Sequence, residues 1–299
     1  MTTRRNLLRL GVATPAALTL GLSACSRTST GSDGDGGGST LDKLKKKGKI
    51  TLAIADERPY SWLENGDPKG ATIAMHKKIF PALGIDDIEV KEVDWNSLIP
   101  GLNARRFDAV SAGMSILPDR CKQASFSDPE IMYTTALMVA KGNPKKLTDL
   151  DSVVDAGSKV KLAVLSGGIE QGYAEKLKIK GTTKVDNAQD GMDIVANGRV
   201  DAFAMTAISL NWMADNSDAK VDVTDAFVQV IDGVKQIGAG STVFHPDDKE
   251  LLEAYNKELK KITSDVDAYM DLVGEYGFTE ENLPPEDITT KKLCSGDLG

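Results

Sequence analysis

Histidine and cysteine are scarce in this chain of 299 residues, which has two histidines and three cysteines. His76 and His245 are far apart in sequence, and neither has a neighbouring cysteine, a serine motif or a cluster of metal-ligating residues. A glycosidase needs two carboxylates facing one cleft, and only Glu57 is well placed for that. The sequence therefore predicts a protein that is not an enzyme and that uses no metal and no cofactor.

Positive charge is also in deficit. The chain has 36 basic and 44 acidic side chains, a net charge of −8. The first 24 residues contain three arginines and no acid, which leaves 33 basic against 44 acidic side chains, a net charge of −11, in the remainder. Nucleic-acid binding depends on a basic face, so this balance excludes nucleic acid as a partner.

No hydrophobic run is long enough for a permanent membrane span. The apolar stretch at 10–22 is shorter than the roughly 20 residues that a bilayer requires. It follows the Arg4-Arg5 pair, and this order is typical of an export signal of the twin-arginine type. The sequence therefore predicts a signal peptide at 1–24.

The signal ends in "LSAC", which is similar to a bacterial lipobox. We expect cleavage before Cys25 and lipidation of that residue. Stable anchoring needs two membrane signals, and a diacyl group would supply both. Residues 25–40 are rich in glycine and serine and would form a flexible tether with a reach of roughly 20 Å.

The other two cysteines are Cys121 and Cys294. In an oxidising compartment two such residues commonly form a disulfide, although two separate buried thiols are the alternative. A bond would tie the C-terminal tail to the segment that carries Arg120.

Strand and helix patterns alternate twice along the chain. The first unit runs from a predicted strand at 50–55, through a helix at 69–84, to a buried strand at 109–112. The second unit begins with a strand at 161–165 and ends with "GRVDAFAMT", which parallels "ARRFDAVSAGM" in the first. This order predicts the α/β class, with two α/β domains.

The loops after the predicted strands contain complementary chemical groups. Open α/β sheets bind ligands at the carboxyl ends of their strands, so we expect these loops to face one cleft. Arginine can bind a carboxylate through two hydrogen bonds, aromatic faces attract cations, and the N–H groups at a helix start suit an anion. Together the groups predict a small zwitterionic ligand. The candidate residues are Glu57, Tyr60, Trp95, Arg120, Ser166, Gly167 and Thr206.

Less specific roles remain open for several of these residues. Arg120 could form a surface ion pair with Asp119 or Asp128, which would contribute little. Tyr60 and Trp95 could be core aromatics, and Glu57 a solvated loop charge.

Three stretches resemble a known family: "LDKLKKKGKITLAIADERPYSW", "SLIPGLNARRFDAVSAGMSILPDRCKQASFSDP" and "ELLEAYNKELKKI". They look like the family 3 solute-binding proteins of bacterial ABC importers, over residues 41–277. The resemblance implies a type II periplasmic-binding-protein fold, in which two lobes close over a ligand. It implies a first lobe at 41–139 and 244–299, a second at 140–243, and hinge crossovers near 139–142 and 241–244.

Within that family, "ILPDRCKQ", "LSGGIEQGYA" and "MTAIS" most resemble the ectoine- and hydroxyectoine-binding proteins. The resemblance implies that Arg120 and the backbone at Gly113 hold the ligand carboxylate. It also implies that Glu57 faces the ligand amidinium and that Tyr60 and Trp95 wall that charge.

Two positions depart from family patterns in opposite directions. Ser115 stands where the ectoine binders have an aromatic residue, and amino-acid binders often have Ser or Thr there. Thr206 stands where amino-acid binders usually have an aspartate for the α-ammonium, and an unpaired buried charge is costly. We therefore expect ectoine or hydroxyectoine, with a polar or cyclic amino acid or a betaine as the alternative.

The resemblance also implies the partners and the location. The protein is expected to be a monomer that meets the permease of an ABC importer at the outer face of the cell membrane, as a lipoprotein. A sensor subunit would use a lipid tether equally well, so the sequence leaves that role open.

Overall fold

A computed structural model of the chain describes residues 38–296. The predicted signal peptide, Cys25 and most of the predicted tether lie outside the described residues. Within 38–296, no helix combines the length and the apolar character needed to cross a membrane.

Fifteen strands lie between residues 38 and 296. They are β1 (Lys49–Ile54), β2 (Trp62–Glu64), β3 (Asp67–Lys69), β4 (Asp87–Glu92), β5 (Ala109–Ser115), β6 (Ser125–Phe126), β7 (Ile131–Tyr133), β8 (Thr135–Ala140), β9 (Leu162–Leu165), β10 (Thr183–Val185), β11 (Ala202–Thr206), β12 (Val221–Val223), β13 (Val230–Ile231), β14 (Val234–Lys235) and β15 (Gly238–Phe244).

Eleven α-helices lie in the same range. They are α1 (Thr40–Lys47), α2 (Ala71–Ala82), α3 (Leu98–Asn103), α4 (Pro118–Cys121), α5 (Leu150–Ala156), α6 (Ile169–Lys176), α7 (Ala188–Ala196), α8 (Ala207–Asp215), α9 (Lys249–Thr263), α10 (Val266–Val273) and α11 (Thr290–Ser295). Single 3₁₀ turns occupy Trp95–Ser97, Gly157–Lys159, Gly274–Tyr276 and Glu280–Asn282.

The longer strands form two separate sheets. The first has the order β4-β1-β5-β15-β6, and β7 also pairs with β15. The second has the order β10-β9-β11-β8-β12. Strands β4, β1 and β5 of the first sheet are parallel to one another, as are β10, β9 and β11 of the second, whereas β15 and β8 run antiparallel to their neighbours. The prediction of two α/β units is confirmed, and we call the parts of the chain around these sheets the first and the second lobe.

The chain changes sheet earlier than predicted. It leaves the first sheet after β7 and enters the second at β8, with only Thr134 between them, and it returns with β15. The predicted crossovers at 139–142 and 241–244, and the lobe boundaries drawn there, are therefore wrong by about one short strand. The error has a physical reason: the apolar runs of β8 and β15 identify buried strands but not the sheet that each strand joins.

A buried polar network stabilises the first lobe. His76 on α2 is fully buried, and its Nε2 lies 2.7 Å from the Thr242 hydroxyl on β15. Burial lowers the pKa of His76 to about 3, so the ring is neutral. Thr242 in turn lies 3.0 Å from the Tyr255 hydroxyl, which donates to Glu130 at 2.8 Å. These contacts give His76 a structural place in the core.

A disulfide joins Cys121 at the end of α4 to Cys294 in α11, with the two Cα atoms 5.7 Å apart. Of the two alternatives for these cysteines, the structure contains the bonded one. The bond closes a loop over a sequence separation of 173 residues. It attaches the C-terminal tail directly to the helix that carries Arg120.

We predict that replacing both cysteines, as Cys121→Ser with Cys294→Ser, lowers the free energy of unfolding by about 2–5 kcal/mol, because the unfolded chain regains the entropy of a long open loop. Urea denaturation of the wild type and the double variant measures the difference. Reductant should bring the wild type to the level of the variant and leave the variant unchanged. Equal midpoints under oxidising conditions would contradict the stabilising role.

Candidate ligand-binding site

A narrow pocket of about 20 Å³ lies between the two sheets and is lined by both lobes. This volume admits little more than one water molecule, so the two lobes lie close together in this conformation. The first lobe contributes Glu57, Tyr60, Trp95, Gly113, Ser115 and Tyr133, and the second contributes Leu165, Gly168, Ile169, Glu170, Met205 and Thr206. Six of the nine predicted ligand-binding residues therefore line one pocket.

The strand ends explain why these six residues meet. Glu57 and Tyr60 follow β1, Trp95 follows β4, and Thr206 ends β11. Gly113 and Ser115 are among the last three residues of β5. Parallel strands bring their carboxyl ends to one edge of a sheet, and here the two edges face each other.

Glu57 connects the first lobe to the second. Its side chain is buried, and its Oε1 accepts hydrogen bonds from Ser209 at 3.0 Å and from Thr206 at 3.3 Å, both at the start of α8. Burial raises the pKa of Glu57 to about 8, and the nearby Glu170 carboxyl adds to that rise. The carboxyl is thus not a solvated loop charge.

Tyr60 packs closely over Gly113. Its ring makes edge contacts with Tyr133 at 6.1 Å and with Phe278 at 5.4 Å between centroids. A Cβ at position 113 would lie 2.5 Å from the Tyr60 ring, and Gly113 has a φ of +54°. Only glycine permits this close approach of strand and ring.

Tyr133 was not predicted as a site residue. It lies on β7, and its hydroxyl donates to the Ser115 hydroxyl at 2.6 Å. Tyr133 thus places an aromatic ring beside Ser115 in the lining of the pocket. The segment "PEIMY" contains Tyr133. Because the predicted crossover at 139–142 lies several residues too late, the sequence did not place this tyrosine beside the cleft.

Arg120 lies beside the pocket, on α4, which begins with a proline. Its guanidinium donates to the Gly167 carbonyl at 2.7 Å and to the Ser115 carbonyl at 3.1 Å, and it lies 5.6 Å from the Trp95 ring centroid. Asp119 pairs with Lys122 at 2.6 Å instead. Three of the five N–H donors of Arg120 have no hydrogen-bond partner within 38–296. The surface ion pair considered above is thus not formed.

Ser166 and Gly167 connect the lobes and do not line the pocket. The Asn96 amide donates to the Ser166 hydroxyl at 2.9 Å, and the Trp95 ring nitrogen donates to the Gly167 carbonyl at 3.1 Å. The Gly167 N–H already donates to Gln171 at 2.9 Å. Gly167 turns its carbonyl to the first lobe, so the predicted anion contact through its N–H is absent from this conformation.

Glu170 was also missed. It is 3 % exposed, lines the pocket, and lies 3.4 Å from the Thr135 hydroxyl. Burial raises its pKa to about 7. The motif "SGGIE" contained this acid, but sequence reasoning considered only the backbone of the motif.

A second contact between the lobes lies near the pocket. Trp62 of the first lobe packs on Trp212 of α8 at 6.1 Å between centroids, and on Tyr276 at 5.9 Å. The Arg58 guanidinium lies within 5.5 Å of both tryptophan rings. The lobes are therefore in contact on two sides of the pocket, with the site enclosed.

Two α/β lobes with a small pocket between them, lined by apolar side chains and two buried carboxyl groups, define the architecture of a two-lobed ligand-binding protein. The family model for bacterial extracellular solute-binding proteins, family 3, matches residues 50–272. The chain belongs to this family, and its fold is the type II periplasmic-binding-protein fold. Both predictions are confirmed.

Individual relatives agree on the class. The chain is 34% identical to the "probable amino-acid ABC transporter periplasmic-binding protein y4tE" of Sinorhizobium fredii, over 87% of each chain. It is 29% identical to the "arginine-binding extracellular protein ArtP" of Bacillus subtilis, over 83% of this chain and 89% of that protein. The structure of EhuB in complex with hydroxyectoine superposes with a TM-score of 0.75 at 27% identity, over 85% of this chain and 97% of that one.

These relationships make the chain an extracytoplasmic solute-binding protein of an ABC transporter. Its partners are accordingly a small ligand and a membrane permease.

We predict that Arg120→Ala raises the dissociation constant of the ligand at least about 30-fold, because loss of one partner of a buried charge pair costs about 2–5 kcal/mol. Isothermal titration of the variant measures the effect. Arg106→Ala is the matched control, since Arg106 is exposed. Retained affinity in a folded Arg120→Ala protein would contradict the anchoring role.

Proposed function

We propose that this protein is a lipid-anchored substrate-binding protein that captures ectoine or hydroxyectoine between its lobes and delivers it to an ABC permease without chemical change. The observation that carries the proposal is the placement of an arginine beside the pocket and of a buried carboxyl group inside it, whose proton a ligand cation would displace. Arg120 offers unpartnered N–H donors on one side, and Glu57 is buried among aromatic rings on the other.

The carboxylate of the ligand would bind Arg120. A planar guanidinium with free donors matches a carboxylate through two parallel hydrogen bonds. Within residues 38–296, the hydrogen bonds that Arg120 donates go to two carbonyl oxygens, of Ser115 and Gly167. Hydrogen bonds to neutral carbonyls are weaker than those to a carboxylate, so an anionic ligand improves on them.

The cationic ring of the ligand would bind Glu57. A delocalised amidinium suits a carboxylate flanked by π faces, and each face contributes about 0.5–2 kcal/mol depending on desolvation. Tyr60, Trp95 and Tyr133 surround that part of the pocket. Similarity to a structure that contains hydroxyectoine supports this choice of ligand.

Closure would couple binding to delivery. A ligand shifts a hinge equilibrium only through extra affinity for the closed form. A ligand that contacts Arg120 and Glu57 of the first lobe, and Thr206 of the second, satisfies that condition. The closed form would then dock on the permease.

A second candidate is a cationic α-amino acid such as arginine. Glu170 places a second buried carboxyl in the pocket, and it belongs to the second lobe, where the aspartate of amino-acid binders was expected. It could bind an α-ammonium that Thr206 alone could not. The arginine-binding relative agrees with this alternative.

Isothermal titration with ectoine, hydroxyectoine, glycine betaine, proline and L-arginine decides between the two candidates. We expect ectoine to bind with a dissociation constant of about 1 μM or lower, equivalent to about −8 kcal/mol. Glu57→Gln should weaken ectoine more than any ligand without a charged ring. Heat with L-arginine and none with ectoine would refute the first proposal and support the second.

The anchor has its own test. We expect Cys25→Ala to release the protein from the membrane fraction into the medium, because the lipid-bearing sulfur is lost. Ligand affinity should be unchanged, since Cys25 precedes the folded lobes. Cells that express the wild type provide the control, and a variant that still sediments with membranes would contradict lipid anchoring.

A further inference from the structure

Four carboxyl side chains are buried within residues 38–296, and they differ in how well they are partnered. Asp248 pairs with Arg105 and accepts from the Thr40 hydroxyl. Glu57 accepts from two hydroxyls. Glu130 accepts three hydrogen bonds at one oxygen, at 2.8–3.0 Å, from the hydroxyls of Ser127 and Tyr255 and the N–H of Thr242.

Glu170 differs from the other three because no short side-chain hydrogen bond reaches it. Its partners within 38–296 are its own backbone N–H and the Thr135 hydroxyl, the latter at 3.4 Å, which is long for a hydrogen bond. It nevertheless lines the pocket and is almost fully buried. A buried carboxylate with so little compensation is costly, so this group requires either a cation or a proton.

The charges around Glu170 do not supply that cation. Among residues 38–296, Arg120 is the one basic group whose charge acts on the pKa of Glu170, and that charge is needed for the ligand carboxylate. The titratable or charged groups that face Glu170 from the surrounding elements are Glu57, Tyr60, Arg120, Tyr133 and Tyr173.

We propose that Glu170 is a specificity-determining residue that adjusts the pocket to the charge of its ligand. With a zwitterion it is enclosed as the neutral carboxylic acid, so that a proton enters the closed site together with the ligand. With a ligand that has a second cationic group, it binds that group as the carboxylate. The inference rests on the proposed ligand site and deepens it.

The charges in the closed site balance differently for a zwitterion and for a net-cationic ligand. In the closed site a zwitterion uses its carboxylate for Arg120 and its single cationic group for Glu57, and that cation lowers the otherwise raised pKa of Glu57. Glu170 is left unpaired, and burial raises its pKa to about 7. A net-cationic amino acid instead pairs both acids, and the three protein charges and three ligand charges then cancel.

The sign of the pH dependence follows. In an open cleft Glu170 is in water and its carboxyl has an ordinary pKa of about 4.3. Closure over a zwitterion raises that pKa, because burial disfavours the carboxylate, so closure takes up a proton. Affinity for a zwitterion is therefore highest in acid, falls by up to about tenfold per pH unit as the pH rises above the ordinary pKa, and levels above the raised one. Affinity for L-arginine lacks this decline.

The test is isothermal titration of the full chain in detergent at pH 5, 6, 7 and 8. Ectoine, proline and glycine betaine are the zwitterionic probes, and L-arginine is the net-cationic probe. Glu170→Gln mimics the protonated acid. Glu175→Gln, on the same helix but exposed, is the matched control.

We expect Glu170→Gln to remove the pH dependence of the affinity for whichever zwitterion binds. At pH 8 the variant should bind that zwitterion at least as tightly as the wild type does. Its affinity for L-arginine should be at least tenfold lower. The Glu175→Gln protein should match the wild type. Wild-type affinity for a zwitterion that is constant from pH 5 to pH 7 would overturn the inference.

A tenfold or greater loss of zwitterion binding in Glu170→Gln at pH 8 would overturn it as well. Failure of the proposed site is a separate result: undiminished binding after Arg120→Ala or Glu57→Gln refutes the site itself, whatever Glu170 does. Circular dichroism of each variant verifies that the fold is intact.

Discussion

The hydrogen bond from the Arg120 guanidinium to the Gly167 carbonyl holds the rest of the site in place. It joins a helix of the first lobe to a loop of the second at 2.7 Å. The same guanidinium is flanked by the Trp95 ring, which also donates to Gly167. One charged side chain thus takes part both in contact between the lobes and in the electrostatics of the pocket, so ligand recognition and closure depend on the same atoms.

On the opposite side of the pocket, an acidic side chain of the first lobe meets hydroxyl groups of the second. Glu57 of the first lobe meets only hydroxyls from the second, and hydroxyls can accept as well as donate. A ligand cation can therefore replace the hydroxyl of Thr206 or Ser209 at Glu57. The displaced hydroxyl can then form a hydrogen bond with the ligand. Charge is concentrated on the first lobe, apart from Glu170, and the second lobe mainly supplies backbone carbonyls and small polar groups.

The sequence predicted those parts of the site that follow strand ends. Glu57, Tyr60, Trp95 and Thr206 were found because an apolar strand pattern specifies where a chain emerges from a sheet. Tyr133 and Glu170 were not found, since their place in the pocket depends on where the chain changes sheets and on which way one helix faces. For Ser166 and Gly167 the sequence predicted the position of the loop correctly. It did not predict that the Gly167 carbonyl points to the first lobe, because tertiary contacts set that direction.

The tryptophans have a consequence for observing the molecule. The chain contains three, and Trp62, Trp95 and Trp212 all lie where one lobe touches the other. Their indole rings exchange contact with protein for contact with water whenever the cleft opens. Intrinsic tryptophan fluorescence should therefore report opening and closing of the cleft without an attached dye. All three indoles lie at the contact between the lobes, so none elsewhere in the fold contributes a constant signal.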